Sequence, residues 1–79
     1  MPRFYFDVHD GDQNRDVDGS LCADVKAAAK QADALLPEIA DNRVAKDSER
    51  QIITVLVTDE EGHPVYHAAL SQVGTWLIR

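Results

Sequence analysis

The chain has 79 residues, a formal net charge of −6 at pH 7 and a single cysteine, Cys22. These values exclude an intramolecular disulfide and disfavour a nucleic-acid surface, which needs Lys and Arg to displace condensed counterions. They also predict one domain, residues 1–79, that buries only roughly 60 to 65% of its unfolded surface and is stabilised by a partner subunit.

The first predicted element is a β-strand that begins at Arg3 and ends at His9. Its side chains alternate between apolar and polar, which is the period-two pattern of a half-buried strand. Both phenylalanines of the chain fall on the apolar side, so we place this strand in the middle of the sheet. The apolar side consists of Phe4, Phe6 and Val8, and the polar side of Arg3, Tyr5, Asp7 and His9. The sequence suggests no structural role for the polar side.

An acidic segment with turn-forming residues follows the first strand. Residues 10–14 tolerate positive φ or hydrogen-bond their own backbone, and they predict a hairpin loop. Residues 15–17 are the only candidate for a second strand, and a short polar strand suits a sheet edge. Asp18-Gly19 predicts another turn. The aspartates in this segment lack the EF-hand spacing, so paired turns are a better interpretation than a calcium site.

A helix is predicted to begin after Asp24, whose carboxylate suits the N-cap position, and to end near residues 42–44. Pro37 predicts a kink or a restart, because an internal proline removes a hydrogen bond at a cost of roughly 3 kcal/mol. Cys22 is interpreted as a buried structural cysteine, since no second cysteine or nearby histidine supports a reactive one. The apolar helix face comprises Val25, Ala28, Ala29, Ala32, Leu35, Leu36 and Ile39.

The second half of the chain predicts two further strands. Residues 45–51 are charged and predict a loop, whereas residues 52–58 are mostly β-branched and give the strongest strand signal. That strand is apolar on both faces, which predicts either a central position or an outer face covered by a second subunit. Residues 59–64 predict a hairpin turn, and the fourth strand spans residues 65–70. The strand pattern continues more weakly through residues 74–78.

Together these elements predict an α+β fold with the order β-β-α-β-β. If the two most apolar strands, the first and the third, lie side by side, a small antiparallel sheet of order 2-1-3-4 results, with the helix on one face. The fourth strand is then an open edge, to which residues 71–79 add apolar area. We therefore predict a homodimer formed through the fourth-strand edge or the open sheet face.

The sequence contains no visible catalytic constellation, so we predict no enzyme, no catalytic residue and no cofactor. His9, His63 and His67 invite a metal-site hypothesis, together with Asp7 and Asp10. However, an extended strand would hold His63 and His67 more than roughly 10 Å apart, so we predict no metal ligand.

The predicted interaction surface combines the polar side of the first strand with two aromatic side chains. Tyr66 and Trp76 could stack on a base or a small ligand, but the acidic surroundings lack the cations that such a site needs. Packing in a core or an interface is the simpler interpretation of both. The surface predicted from the sequence is Tyr5, Asp7, His9, Tyr66 and Trp76.

The leading functional hypothesis is a non-enzymatic protein-interaction or regulatory module, because β-strand addition gives affinity without a pocket. A small-ligand or metal-binding domain is the alternative, and an antitoxin-like or nucleic-acid-linked regulator is a weaker one that rests on fold analogy. No segment has the pattern of a signal peptide or a membrane span, so we expect a cytoplasmic protein without a membrane partner.

Five segments carry a family resemblance, namely residues 2–11, 18–19, 24, 36–40 and 59–65. The first contains Arg-Phe-Tyr-Phe-Asp-Val-His-Asp-Gly, which fits an R-F/Y-F/Y-F-D-x-x-D-G opening motif. Together they resemble a family of short bacterial proteins known only as a domain of unknown function, with many members in soil and plant-associated bacteria. The resemblance supports the boundaries of a single domain, brings no established activity, cofactor or catalytic residue, and leaves the function open. The chain departs from the family at residues 20–23, where a proline is common.

Overall fold

The computed structural model describes residues 1–43 and 50–73. These residues form five antiparallel strands and one helix, which confirms the α+β class. Within them, no helix combines the length and the apolar character needed to cross a membrane. The elements are β1 (Arg3–His9), β2 (Gln13–Asn14), β3 (Ser20–Leu21), α1 (Val25–Arg43), β4 (Arg50–Thr58) and β5 (Pro64–Val73).

The strands follow the order β2-β1-β4-β5, and β3 also pairs with β1. All of these pairings are antiparallel, so the predicted order 2-1-3-4 is confirmed with β4 and β5 as the third and fourth strands. The two strands richest in aromatic and β-branched residues, β1 and β4, lie in the interior of the sheet. Helix α1 packs against β4 and β5.

The core lies between α1 and one face of the sheet. Ile53, Val55 and Val57 of β4 are fully buried there, beside Phe4 and Phe6 of β1. Val8 is partly buried against the same cluster, so the predicted apolar side of the first strand is confirmed. The helix contributes Ala28, Ala32 and Leu36, two of which are small enough to let α1 approach the sheet closely.

Helix α1 begins where the sequence predicts. The backbone N–H of Ala27 donates to Asp24 Oδ1 at 2.8 Å, which is the hydrogen bond of an N-cap. The helix continues through Pro37 as one element to Arg43, so the restart considered at Pro37 does not occur. Pro37 is exposed, and the carbonyl that loses its donor can therefore be hydrated.

Strand β4 begins before the sequence predicts. Residues 50 and 51, which were predicted to lie in a loop, already pair with residues 73 and 72 of β5. The rest of that loop, residues 45–49, lies outside the described residues. Strand β5 is also longer than predicted, since it ends at Val73 and not at Leu70. The weaker continuation predicted for residues 74–78 lies outside the described residues.

The second strand was predicted at residues 15–17, and this prediction is wrong. The pairing with β1 is divided between β2, where Asn14 lies opposite Val8, and β3, where Ser20 lies opposite Phe4. Six residue steps separate Asn14 from Ser20, whereas only four separate Phe4 from Val8. Residues 15–19 therefore have to leave the sheet as a loop.

Candidate functional site

The face of the sheet opposite α1 is uncovered in the described part of the structure. Directly paired residues of antiparallel strands share a face, so the register assigns each side chain to one side of the sheet. One row across the sheet is Asp7, Leu56 and His67, and the next is His9, Thr54 and Ala69. The open face, as we call it, consists of Arg3, Tyr5, Asp7, His9, Gln13, Leu21, Ile52, Thr54, Leu56, Thr58, His67, Ala69 and Ser71.

The open face carries apolar side chains among polar ones. Ile52 is 54% exposed and Leu56 is half-buried, although neither contributes to the core. Both imidazoles of this face, His9 and His67, line the same concavity of about 470 Å³ around Leu56. This concavity is open to solvent and can offer a partner apolar contact together with hydrogen-bonding groups. Its lining consists of Asp7, Val8, His9, Gln13, Thr54, Leu56 and His67.

The structure brings together only part of the surface that the sequence predicted. Tyr5, Asp7 and His9 lie on the open face, whereas Tyr66 lies opposite Val57 and therefore on the helix side. Trp76 lies outside the described residues. Sequence reasoning left Leu56 and His67 out of the surface, because only the register of the β4–β5 hairpin shows that they share a row with Asp7.

Tyr66 ties β5 to the helix. Its hydroxyl donates to Asp33 Oδ1 at 2.8 Å. This hydrogen bond to the carboxylate of Asp33 is the main cause that raises the pKa of Tyr66 above its usual value of 10.0, because the phenol must stay protonated to donate. Tyr66 therefore has a structural role on the helix side of the sheet.

The polar side of β1 also has structural roles, contrary to the expectation from the sequence. Arg3 Nη1 donates to the backbone carbonyl of Asp18 at 2.8 Å, and the backbone N–H of Arg3 donates to Glu60 Oε1 at 3.1 Å. Asp7 Oδ1 accepts from the backbone N–H of Asp16 at 2.9 Å. Two side chains of the open face thus hold the loop of residues 15–19 against β1.

Asp16 completes the attachment of that loop. One carboxylate oxygen accepts from the backbone N–H of Phe6 at 3.1 Å, and the other accepts from the N–H of Gly19 at 3.0 Å. Gly19 has a φ of 71°, and a Cβ placed on it would lie 2.9 Å from the Phe4 carbonyl and from the ring of Tyr5. The loop is therefore packed closely on β1, and it closes this edge of the sheet.

The turn between β4 and β5 is stabilised by Asp59. Its Oδ1 accepts from the backbone N–H groups of Glu61 and His63, both at 2.9 Å. The hydrogen bond from His63 is the largest cause that lowers the pKa of Asp59 below its usual value of 3.8. The imidazole of His63 lies 3.7 Å from carboxylate oxygens of Asp59 and Glu61.

The three histidines considered as metal ligands do not all lie together. His63 lies in the exposed turn, whereas His9 and His67 lie on different strands of the open face. Within residues 1–43 and 50–73, no group of three or more His, Cys, Asp or Glu side chains is arranged to hold a metal ion. Cys22 is buried, as predicted, and its thiol lies 3.6 Å from Gln31 Oε1.

Comparison with known proteins identifies a family and no individual relative. The family model described as a domain of unknown function (DUF6894) matches residues 3–71 of the chain. The match covers most of the 79 residues and confirms the resemblance to a short family of unknown function. Neither curated proteins nor solved structures give a match.

Proposed function

The chain belongs to the DUF6894 family, and since that description names no activity, we propose from its surface a non-enzymatic protein-interaction module. In this proposal the chain acts as a homodimer and binds a partner protein through the open face. The observation behind the proposal is that α1 covers only one of the two faces of the sheet. Helix α1 covers one face, while the other leaves Ile52 and Leu56 accessible between polar side chains.

The composition of the open face favours a protein over other classes of partner. Apolar side chains surrounded by hydrogen-bonding groups are typical of protein interfaces, which pair an apolar centre with a polar rim. Arg3 is the one cation among the open-face side chains that the structure describes, and its guanidinium donates to the carbonyl of Asp18. The described side chains of this face thus offer little positive charge to a phosphate backbone.

A small ligand is a weaker candidate for the same surface. Ligand sites usually enclose most of the ligand, whereas the concavity around Leu56 opens onto the surface of the sheet. A protein partner needs no enclosure, because it covers the site with its own surface. We further propose that the protein acts in the cytoplasm, where a lone thiol such as that of Cys22 stays reduced.

Affinity capture from native cells tests the open face. The intact protein, immobilised, is compared with an Ile52→Ala, His67→Ala variant and with a Lys30→Ala, Glu38→Ala control on the exposed side of α1. Tyr5 is left unchanged, because its ring contacts the loop at Gly19 and its loss would disturb that loop.

We expect quantitative mass spectrometry to show at least one protein whose capture falls at least about fivefold with the open-face variant and not with the control. Equal capture by the open-face variant and the parent, with both folded by circular dichroism, would contradict the proposed function.

A further inference from the structure

The two edges of the sheet differ in how they are protected. At the β1 edge, β2 and β3 each have only two residues, and the intervening loop is acidic and attached by Asp16. Short strands and charged side chains are the usual protection against pairing with another chain. This edge is therefore closed to strand addition.

The other edge has none of these protections. Strand β5 runs for ten residues, and no other strand of the described residues pairs with its outer side. It contains no Asp, Glu, Lys or Arg, and its only proline is the first residue, Pro64. The irregularity in its pairing with β4 is confined to the end near Thr58. A long, regular and uncharged edge is a template for a further strand.

We propose that β5 pairs antiparallel with β5 of a second copy of this chain, so that one sheet continues across both copies. The inference rests on the homodimer in the proposed function and specifies which of its surfaces forms the dimer. A second copy is the occupant that the edge fits, because it supplies a strand of the same length that is equally uncharged. A single symmetric contact then pairs the open β5 edge of one copy with that of the other.

The symmetry of such a pairing determines where the two copies meet. Antiparallel β5 strands are related by a twofold axis perpendicular to the sheet, and opposed residues must share a face. The midpoint of β5 lies between Ala68 and Ala69, so full overlap places the axis beside one of these two alanines. Small side chains at the axis allow close approach. Leu70, which is 39% exposed on the helix side, lies close enough to the axis to be covered.

The dimer also explains how one small chain can present a larger binding surface. A perpendicular twofold axis places both copies of α1 on one side of the joined sheet and both open faces on the other. His67, Ala69 and Ser71 are the open-face residues of β5, and they lie along the seam, which is the line where the two copies meet. The two concavities around Leu56 then form parts of one continuous surface, which remains free for the partner protein.

The test uses two matched pairs of lysine substitutions on the intact chain. Ala69→Lys, Ser71→Lys places two cations along the β5 seam, where lysine disfavours edge pairing. Ile52→Lys, Thr54→Lys places the same charges on the directly opposed residues of β4, on the same face but one strand further in. The second variant would disrupt a face-to-face dimer and should leave an edge dimer intact.

We expect native mass spectrometry and light scattering at tens of micromolar to give twice the 8.8 kDa chain mass for the parent and for the β4 variant. The β5 variant should give the single-chain mass. If the double β5 variant does not fold, Ala69→Lys alone serves in its place.

A monomeric parent, or a dimer that persists in the folded β5 variant, would overturn the inference. A dimer lost in the β4 variant and kept in the β5 variant would assign dimerisation to the open face. None of these results depends on the capture experiment, so failure of the edge dimer and failure of the open-face binding can be told apart.

Discussion

At the edge of β1, the Asp16 carboxylate accepts a hydrogen bond that a neighbouring strand would otherwise accept. Between the pairs made by β2 and β3, the N–H of Phe6 has no strand opposite it and donates to the Asp16 carboxylate. The same carboxylate accepts from Gly19, and Asp7 accepts from Asp16 in return. One acidic side chain thus satisfies two backbone donors, and for the N–H of Phe6 it supplies the acceptor that a strand carbonyl would otherwise have supplied.

Replacing Asp16 tests this role. We expect Asp16→Ala to lower the free energy of unfolding by about 1 to 3 kcal/mol, because backbone donors lose a charged acceptor. Asp18→Ala is the matched control, because the Asp18 side chain is exposed and accepts no hydrogen bond within the described ranges. We expect this control to change the free energy of unfolding by less than about 0.5 kcal/mol. Urea denaturation at one protein concentration measures both, and equal stability of the two variants would contradict the role of Asp16.

The sequence could not show this contact, for a physical reason. The aspartates of residues 10–18 look alike in the chain, and each suits a turn. The aspartate that reaches a backbone N–H of β1 is determined by the length of the loop between β2 and β3. That loop can be located only when the pairing register of β2 and β3 with β1 is known. The same limit applies to Arg3 and Asp7, which look like solvated side chains until the loop is placed on them.

At the scale of elements, periodicity predicted most of the fold. The alternation in β1, the apolar face of α1 and the β-branched run of β4 each identify an element and its buried side, and Asp24 marks the helix start. The ends of β4 and β5 were predicted less well. Polar residues such as Gln51 and Gln72 have weak strand preference, and their pairing across the hairpin overrides it.

The contact between β5 and α1 predicts a specific pH dependence. The hydrogen bond to Asp33 raises the pKa of Tyr66, so its stabilising effect is complete below pH 10.0 and is lost as the pH rises through the raised pKa. Asp33→Asn should therefore move the pKa of Tyr66 down toward 10.0, and Glu38→Gln on the same helix should not. The measurement is an ultraviolet titration in chains that also carry Tyr5→Phe, so that Tyr66 is the only tyrosine that titrates. If Asp33→Asn leaves the pKa of Tyr66 unchanged, the proposed effect of Asp33 on Tyr66 is contradicted.

At the scale of the whole molecule, the sheet separates two surfaces with different properties. The open face combines Ile52 and Leu56 with histidine, threonine and aspartate side chains, whereas the β5 edge is a regular backbone without charge. We assign the edge to a second copy and the face to a partner protein. Such an edge contact would add stability to a chain this short, since its core alone is small.

The candidate site was only partly predictable from the sequence. Tyr5, Asp7 and His9 follow from alternation within one strand, which is a local pattern. Leu56 and His67 belong to the same surface only through pairing between strands that are distant in sequence. Tyr66 was assigned to that surface for its aromatic ring, but its register opposite Val57 places it on the helix side.

Amide hydrogen exchange of the parent chain, measured at low and high protein concentration, tests the β5 edge most directly. Consecutive residues of an antiparallel strand direct their N–H groups to opposite sides, so one amide of Ala68 and Ala69 points away from β4. We predict that the outward amides of β5 exchange more slowly at high concentration, while β2 and β3 do not change. Outward amides of β5 that exchange without protection at both concentrations, in a protein shown to be folded, would contradict the edge dimer.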